Sequence, residues 1–382
     1  MRVAVLIPGA KKGLQPVTFA AFLQALAAEV GEVVVWDVTL SRIEELRVGL
    51  GTFSPDRTRF RNRFNASPDA FRRRSQVVER LVAAETRPLD AVLQIGISFD
   101  AGAAAAQWPL VIYTDYSFVL TRDFGRPWRP ELTEATISAR VALERAAVGA
   151  AVRVCTRSAF VADALRREQG VDPARLSVVG AGPSITPPVR RDGPPRLLFF
   201  GNDFLRKGGD IVLAAFARLR LDFPWLEIDI VAPPAHRRRI AGVTWHTERS
   251  VAGIAGLLGR ASILLMPSRF ETWGEALVEA MAAGTVPVIA DIAPMTEIVT
   301  HGVDGLLVPR DDPRALAETV APLLRDPILL DRYSRAAALR VTRDLSQAAV
   351  VRRISRALRL AVEEHALTAE SPRRRRPEPG PG

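Results

Sequence analysis

Residues 264–281 read LLMPSRFETWGEALVEAM and give the clearest indication of the fold class. It begins as a short apolar run typical of a buried strand, passes through a loop at Pro267, and ends in helix-forming residues. A buried strand followed by a loop and a helix is the repeating unit of parallel α/β sheets. Ligands of such sheets bind outside the carboxyl ends of the strands. The loop after Met266 is therefore a candidate binding site.

Two carboxylates belong to this candidate site. Glu271 lies in the loop, and Glu279 lies about one turn into the predicted helix. Free backbone amides near Gly274 and Glu275 would face an anion at the helix N-terminus. One carboxylate is suited to accept sugar hydroxyls and the other to accept ribose hydroxyls. Two solvated surface glutamates are the alternative interpretation.

A second motif, residues 199–209, reads FFGNDFLRKGG and is again a strand, a loop and a helix start. Gly201 permits close approach of the backbone to a ligand. Arg206 and Lys207 place two cations beside a helix N-terminus, where a diphosphate needs neutralising. Almost all of the positive charge of this chain comes from arginine, so a lysine at this position is informative. The alternative is an ordinary solvated turn.

The rest of the chain repeats the alternation of strands and helices. Strands are predicted at residues 3–7, 33–36, 91–95, 110–113 and 152–155, and again at 196–200, 227–231, 263–266, 286–289 and 305–308. A Ser67-Pro68 pair predicts a helix start. The fold class is α/β, with two doubly wound, parallel-sheet, Rossmann-like domains facing a cleft.

The domain boundaries follow from the prolines and glycines of residues 186–195, which cannot continue a helix or a central strand. We predict an N-terminal, acceptor-side domain at 1–186, a linker at 187–195 and a nucleotide-sugar domain at 196–330. C-terminal helices follow at 331–368, with a return to the N-terminal domain as one option. The tail at 369–382 has nothing to bury and is predicted to be disordered.

Composition excludes several classes of protein. The chain has 382 residues, 48% of them hydrophobic and 25% charged, which suits two soluble domains. No apolar run approaches the roughly 18 residues of a membrane span, so we expect a cytoplasmic protein. The single cysteine, Cys155, rules out an internal disulfide. The scattered histidines lack metal-ligand spacing, and we expect no metal site.

Together the two motifs resemble those of glycosyltransferase family 4, whose members have the GT-B fold. The resemblance extends to residues 282–290 (AAGTVPVIA), 297–299 (EIV) and 302–309 (GVDGLLVP). It is specific over residues 197–326, looser over 158–182 and weak before residue 158. It implies a retaining transfer of a sugar from a nucleoside diphosphate sugar to an acceptor hydroxyl, with no cofactor besides the donor.

The resemblance also implies roles for individual residues. Glu271 is expected near the donor sugar, Glu279 on the nucleotide ribose, and Lys207 on the donor diphosphate. Relatives often carry an arginine at the position of Asn202, and Arg206 is the predicted substitute for its charge. The departing diphosphate is expected to help remove the acceptor proton. Between the two glutamates the sequence departs from the usual family pattern at Thr272, Trp273 and Glu275.

The acceptor half offers weaker signals. Asp115 follows the strand at 110–113, where many relatives carry a histidine or aspartate near the cleft; a turn cap is the alternative. Residues 8–13 (PGAKKG) follow the first strand and hold Lys11 and Lys12, which indicate an anionic acceptor or phosphate. A surface turn is the alternative there.

An arginine run precedes and enters the helix predicted from residue 67. Its arginines are Arg57, Arg59, Arg61, Arg63, Arg72, Arg73 and Arg74, interleaved with Phe53, Phe60, Phe64 and Phe71. The alternation of residues 57–63 predicts an extended segment with its arginines on one face. One hypothesis is peripheral contact with an anionic membrane. A solvated basic face and an anionic soluble partner are the alternatives, and no nucleic-acid module is visible.

The prediction is therefore a glycosyltransferase of polysaccharide, glycolipid or other glycoconjugate synthesis. Three alternatives stay open at this point. The first is a GT-B enzyme that is not a transferase, such as a sugar-nucleotide epimerase. The second is a catalytically silent binding subunit, and the third is a polyanion-binding protein whose affinity would fall steeply with salt.

Overall fold

A computed structural model describes residues 1–9, 15–185, 193–247 and 250–370. The chain forms two compact units, the first made of residues 1–179 and the chain from 351 onward, the second of residues 180–350. The division at residue 180 precedes the predicted boundary at 186/187. Residues 187–192 of the predicted linker and the tail from residue 371 lie outside the described residues, as do Lys11 and Lys12.

The first unit contains a parallel sheet of six strands. The strands are β1 (Arg2–Ile7), β2 (Glu32–Asp37), β3 (Ala91–Ile95), β4 (Leu110–Thr114), β5 (Arg153–Thr156) and β6 (Leu176–Val178). Their order is β2-β1-β3-β4-β5-β6. All five residues of β3 and of β4 are buried, as expected when helices cover both faces of a parallel sheet.

The helices of the first unit lie between these strands. They are α1 (Gln15–Val30), α2 (Arg42–Thr52), α3 (Arg57–Ala66), α4 (Pro68–Ala84), α5 (Gly102–Ala105), α6 (Phe118–Leu120), α7 (Glu134–Ala150) and α8 (Ala159–Gln169). The predicted helix start at residue 67 is confirmed: the side chain of Ser67 accepts a hydrogen bond from the amide of Ala70, and Pro68 opens the helix.

The arginine run is helical, so the predicted extended segment is wrong. The carboxylate of Asp56 accepts a hydrogen bond of 2.8 Å from the amide of Arg59 and caps α3. Successive residues of a helix turn by about 100°, so residues two apart do not share a face. Phe60 and Phe64, four apart, do share one, and their ring centroids lie 6.1 Å apart. Arginines 57, 59, 61 and 63 are all exposed.

The second unit contains another six-stranded parallel sheet. Its strands are β7 (Arg196–Phe200), β8 (Glu227–Val231), β9 (Val243–His246), β10 (Ile263–Met266), β11 (Val286–Ala290) and β12 (Leu306–Val308). Its helices are α9 (Gly209–Asp222), α10 (Val251–Arg260), α11 (Glu275–Ala282), α12 (Met295–Ile298), α13 (Pro313–Arg325) and α14 (Pro327–Arg340). The last helix of the chain, α15 (Gln347–Glu370), starts in this unit and belongs to the first unit from Val351.

The strand order of the second sheet is β12-β11-β10-β7-β8-β9. This is the doubly wound order of dinucleotide-binding folds, in which the connections reverse direction next to the first strand. Here the reversal falls between β7 and β10. The predicted fold class, two Rossmann-like α/β units of the GT-B type, is confirmed by the two sheets.

Candidate functional site

The two sequence motifs meet at the reversal of the second sheet. The loops after β7 (residues 201–208) and after β10 (residues 267–274) leave the carboxyl ends of neighbouring strands, which pair in parallel. The amide of Arg269 donates a hydrogen bond of 2.8 Å to the carbonyl oxygen of Arg206, which joins the loops directly. Ligands of this topology bind in the crevice at such a reversal.

Lys207 and Glu271 form the centre of this site. The Lys207 ammonium donates to Oε1 of Glu271, and Nη1 of Arg206 lies 3.7 Å from the same oxygen. The hydroxyl of Ser268 donates to it at 3.0 Å. The side chain of Glu271 is 8% exposed and that of Lys207 is 14% exposed. One nearly buried carboxylate therefore lies between two cations. An incoming anion would compete with this carboxylate for both of them.

Arg206 also joins the two loops. Its Nη1 donates to the carbonyl oxygen of Phe270 at 2.7 Å, and its Nε donates to the carboxylate of Asp203 at 2.8 Å. The first contact crosses between the loops, and the second stays within its own loop. Arg206 thus fixes the position of the neighbouring Lys207 while adding positive charge at the crevice.

Two contributors to the site were missed from the sequence. Ser268 is fully buried and holds Glu271, as described above. Arg269 binds the carboxylate of Asp210 with two hydrogen bonds, of 2.9 and 2.8 Å, and that of Asp311 with a third of 2.6 Å. Hydrogen bonding to Arg269 lowers the pKa of Asp210. Arg269 therefore ties the loop after β10 to the start of α9.

The glycines of the first loop are required by its packing. A Cβ on Gly201 would lie 2.4 Å from the ring of Phe199. Gly208 has a φ of +79°, and a Cβ there would lie 2.3 Å from the carbonyl oxygen of Pro267. These contacts are with the chain itself, and the role of Gly201 toward a ligand stays a prediction.

We expect Gly208→Ala to destabilise the protein strongly. The substitution combines a left-handed backbone, which costs an L-residue about 1–2 kcal/mol, with a clash against main-chain atoms. Gly302→Ala is the matched control, because Gly302 also has a positive φ, of +77°, but among the described residues no atom beyond its own chain neighbours lies within 4 Å of its Cβ position. Urea unfolding should show the larger loss for Gly208→Ala. Equal losses would mean that the two loops do not pack as described.

Glu279 faces the inside of the second unit. Helix α11 begins after Gly274, whose φ is +126°, and Glu279 is only 9% exposed. Burial, and next the neighbouring Glu275, raise the pKa of Glu279 to about 7, although the backbone amides of Ser184 and Ile185 donate hydrogen bonds to it. A buried carboxylate in need of further donors is suited to bind hydroxyl groups.

This raised pKa predicts a pH dependence of stability. Between the ordinary pKa of 4.5 and about 7, the folded protein keeps a proton on Glu279 that the unfolded chain releases. The stability that this bound proton contributes is fully present below the ordinary pKa of 4.5 and is lost as the pH rises through about 7. Glu279→Gln should therefore gain about 1–3 kcal/mol relative to wild type between pH ~5 and ~8 in chemical unfolding. Glu318→Gln, an exposed substitution on α13, is the control for the loss of one carboxylate.

Asp115, the remaining predicted catalytic residue, belongs to the first unit. It follows β4, and its Oδ2 lies 3.8 Å from Nη1 of Arg157. It lines a cavity of about 470 Å³ together with Pro8 and Gly9, the part of the predicted lysine-containing loop that is described. Its catalytic role stays a prediction.

None of the helices in the described ranges is both long and apolar enough to cross a membrane.

Comparison with known proteins gives the site its context. Residues 185–340, which include both loops, match the family model described as glycosyl transferases group 1. These residues are therefore similar to the group 1 glycosyl transferases. The predicted resemblance to glycosyltransferases of the GT-B fold is confirmed by this match and by the relatives below.

Curated relatives match about half of this chain. The chain is 32% identical to a glycogen synthase of Mycobacterium tuberculosis over 190 residues, 46% of this chain and 43% of that protein. It is 30% identical to a D-inositol 3-phosphate glycosyltransferase of Streptomyces bingchenggensis, over 53% of this chain and 51% of that protein. The chain thus spans about half the length of these relatives.

Solved structures match the whole chain at low identity. A sucrose-phosphate synthase of Thermosynechococcus elongatus aligns with a TM-score of 0.66 at 19% identity, over 97% of this chain and 99% of that one. Anabaena HepE, solved in complex with UDP and glucose, aligns with a TM-score of 0.64 at 16% identity, over 94% of this chain and 100% of that one. These likenesses show the fold of the chain.

Proposed function

We propose that this protein transfers a sugar from a nucleoside diphosphate sugar to an acceptor hydroxyl. The observation that carries the proposal is the cluster of Lys207, Arg206 and Glu271 at the strand reversal of a group 1 glycosyl transferase domain. The named transferases among its relatives, and the UDP and glucose bound to a structural neighbour, support the same donor class.

The roles of the residues follow from their charges. The donor diphosphate takes the place of Glu271 as partner of Lys207 and Arg206, which stabilise the charge that develops on the leaving group. Glu271, with Ser268 still donating to it, then accepts hydroxyls of the donor sugar. Glu279 accepts the ribose hydroxyls, and the amides at Gly274 and Glu275 add to phosphate binding. The proposal needs no cofactor beyond the donor.

The acceptor side of the proposal rests on the first unit. Asp115 is proposed to orient the acceptor hydroxyl, and the departing diphosphate takes its proton, with retention of configuration at the sugar. Relatives named as a glycogen synthase and an inositol phosphate glycosyltransferase suggest products ranging from polysaccharides to small glycosides. We propose a cytoplasmic site of action for this synthesis.

A thermal-shift screen against nucleoside diphosphate sugars tests the proposed function. A donor that binds the folded protein raises its melting temperature in proportion to the logarithm of its concentration. We expect one class of nucleotide sugar to stabilise the protein and to be consumed when an acceptor is present. Conversion of the donor without acceptor would instead favour an epimerase, and no stabilisation by any nucleotide sugar would contradict the proposal.

Peripheral membrane contact is a second proposal for the first unit, favoured by an exposed apolar stripe on α2. Its members are Ile43, Leu46, Leu50 and Phe53, which are 66%, 64%, 73% and 70% exposed. Ile43, Leu46 and Leu50 are three and four residues apart and lie on one side of the helix, and Phe53 follows as its C-cap. The exposed arginines of α3 follow directly in the chain. An apolar stripe with neighbouring cations suits the surface of an anionic bilayer.

Vesicle co-sedimentation tests this second proposal. We expect wild type to sediment with vesicles containing anionic lipid, and binding to weaken as salt screens the charges. A Leu46→Ser/Leu50→Ser variant should bind less, as should a variant with Arg57, Arg59, Arg61 and Arg63 changed to serine. The matched control is Leu221→Ser, because Leu221 is 83% exposed but lies on α9 of the other unit. Equal sedimentation of all four proteins would exclude this surface.

A further inference from the structure

The first unit carries a cavity of about 470 Å³ at the carboxyl ends of its strands. The turns after β1, β3 and β4 and the helices α4 and α7 contribute to its wall through Gly9, Ser98, Tyr116, Arg74 and Arg140. In the strand order of this sheet the connections reverse between β1 and β3, which is where ligands of such sheets bind. The cavity therefore occupies the first unit's own binding position.

Arg140 is the most unusual group in the cavity wall. The residue is 1% exposed, and its guanidinium lies over the rings of Phe71 and Phe118, at 4.5 and 4.8 Å from their centroids. Its Nη2 donates to the carbonyl oxygen of Ile97 at 3.1 Å and to Glu144 at 3.3 Å. Its Nε and Nη1 have no partner among the described residues. A buried cation with unused donors is unfavourable unless a ligand supplies the missing hydrogen-bond acceptors.

Two hydroxyl groups in the same wall share this property. The hydroxyls of Ser98 and Tyr116 are buried and, within the described ranges, have no hydrogen-bond partner. Buried side-chain donors rarely stay unpaired in folded proteins. The three residues that carry these unused donors belong to three different elements and line one cavity, which indicates a ligand rich in acceptor atoms.

Arg74 brings a second cation to the cavity from α4. It is partly buried, and its guanidinium lies 5.9 Å from the ring centroid of Phe64. Burial, followed by repulsion from Arg140, lowers the pKa of Arg74 to about 10, while Glu45 attracts it. Two guanidiniums near enough to repel each other would be stabilised by an anion bound beside both.

The carboxylates of the cavity wall are engaged by the protein itself. Glu144 accepts hydrogen bonds from the hydroxyl of Ser117 at 2.8 Å and the amide of Phe118 at 2.9 Å, besides the one from Arg140. Asp115 faces Arg157, as described above. Glu45, the third, attracts Arg74. Acidic groups with partners and basic groups with spare donors make an anion the fitting ligand.

We infer that this cavity binds a phosphate monoester group, through Arg74, Arg140 and the hydroxyls of Ser98 and Tyr116. A phosphate presents three acceptor oxygens to such donors, and guanidiniums match its geometry. The remaining volume admits a body about the size of a monosaccharide. The assignment of this phosphate to the sugar acceptor rests on the proposed transfer. The anion site itself does not depend on that function.

Binding of inorganic phosphate and of a hexose phosphate tests the inference. We expect both to raise the melting temperature of wild type, the unphosphorylated hexose to have no effect, and Arg74→Gln to weaken binding about tenfold or more. Arg72→Gln is the matched control, because Arg72 lies on the same helix but is exposed. Without ligand, Arg74→Gln should be at least as stable as wild type, since repulsion from Arg140 is removed. Arg140→Lys, which keeps the charge, should also bind phosphate more weakly.

A second comparison separates this site from the proposed donor site. Lys207→Ala should bind the hexose phosphate as wild type does, while Arg74→Gln should keep its response to nucleoside diphosphates. Equal phosphate binding by wild type and folded Arg74→Gln would overturn the inference, as would tighter binding of a sugar carboxylate than of the phosphate. If no nucleoside diphosphate binds while phosphate binding still depends on Arg74, the proposed function fails and the anion site stands.

Discussion

Lys207→Ala should lower sugar transfer by about one to two orders of magnitude while the protein remains folded. The substitution removes a charge-assisted contact to the donor diphosphate, worth roughly 1.5–3 kcal/mol, and each 1.4 kcal/mol changes a rate about tenfold. The loss should appear in steady-state transfer rates with the donor that stabilises the wild type. Circular dichroism verifies the fold.

The structure gives a reason to expect that Lys207→Ala folds. Glu271 loses one partner but keeps the hydrogen bond from Ser268 and the nearby Arg206. Arg218→Ala is the matched control, because it removes an exposed cation from α9, beyond the loop. Transfer rates of folded Lys207→Ala within about twofold of wild type would remove the diphosphate role from this residue.

Glu271→Gln should separate donor binding from sugar transfer. The amide keeps the size of the side chain but loses the charge that pairs with Lys207 and Arg206. We expect the free nucleoside diphosphate to bind at least as tightly as to wild type, because a competing anion is gone. Transfer should fall by roughly tenfold or more. The carboxylate can accept hydrogen bonds from sugar hydroxyls at both oxygens, whereas the amide has one accepting oxygen and one donating nitrogen.

Calorimetric titration with the nucleoside diphosphate, alongside transfer rates, measures both effects of Glu271→Gln. Glu318→Gln, an exposed change on α13, serves as the control for charge alone. Weaker diphosphate binding with unchanged transfer would be the reverse of the expected pattern. It would mean that Glu271 only maintains the loop and does not meet the donor sugar.

The sequence predicted most of the second unit because its strands are short apolar runs bounded by glycine and proline. The motif at residues 264–281 also predicted that Glu271 follows a central strand. In a parallel sheet, this loop is then expected beside the loop that holds Lys207, although no distance between them could be predicted. The strands predicted at 196–200, 227–231 and 263–266 have the observed bounds.

Contacts that depend on tertiary packing could not be predicted in this way. Arg269 resembles any other arginine in a chain where Lys and Arg total 52, and its hydrogen bonds to Asp210 and Asp311 join segments far apart in sequence. The arginine run alternates as a strand would, but Asp56 caps a helix there. The spare donors of Arg140 follow from where α4 and α7 pack, which no local pattern records.

A crystal structure of the protein with its preferred nucleoside diphosphate sugar would show whether the donor binds at the strand reversal of the second sheet. We expect the diphosphate at the carboxyl ends of β7 and β10, with a phosphate oxygen about 3 Å from the Lys207 ammonium, the ribose at Glu279 and the sugar at Glu271. A donor bound elsewhere, with Lys207 still paired to Glu271, would contradict this expectation.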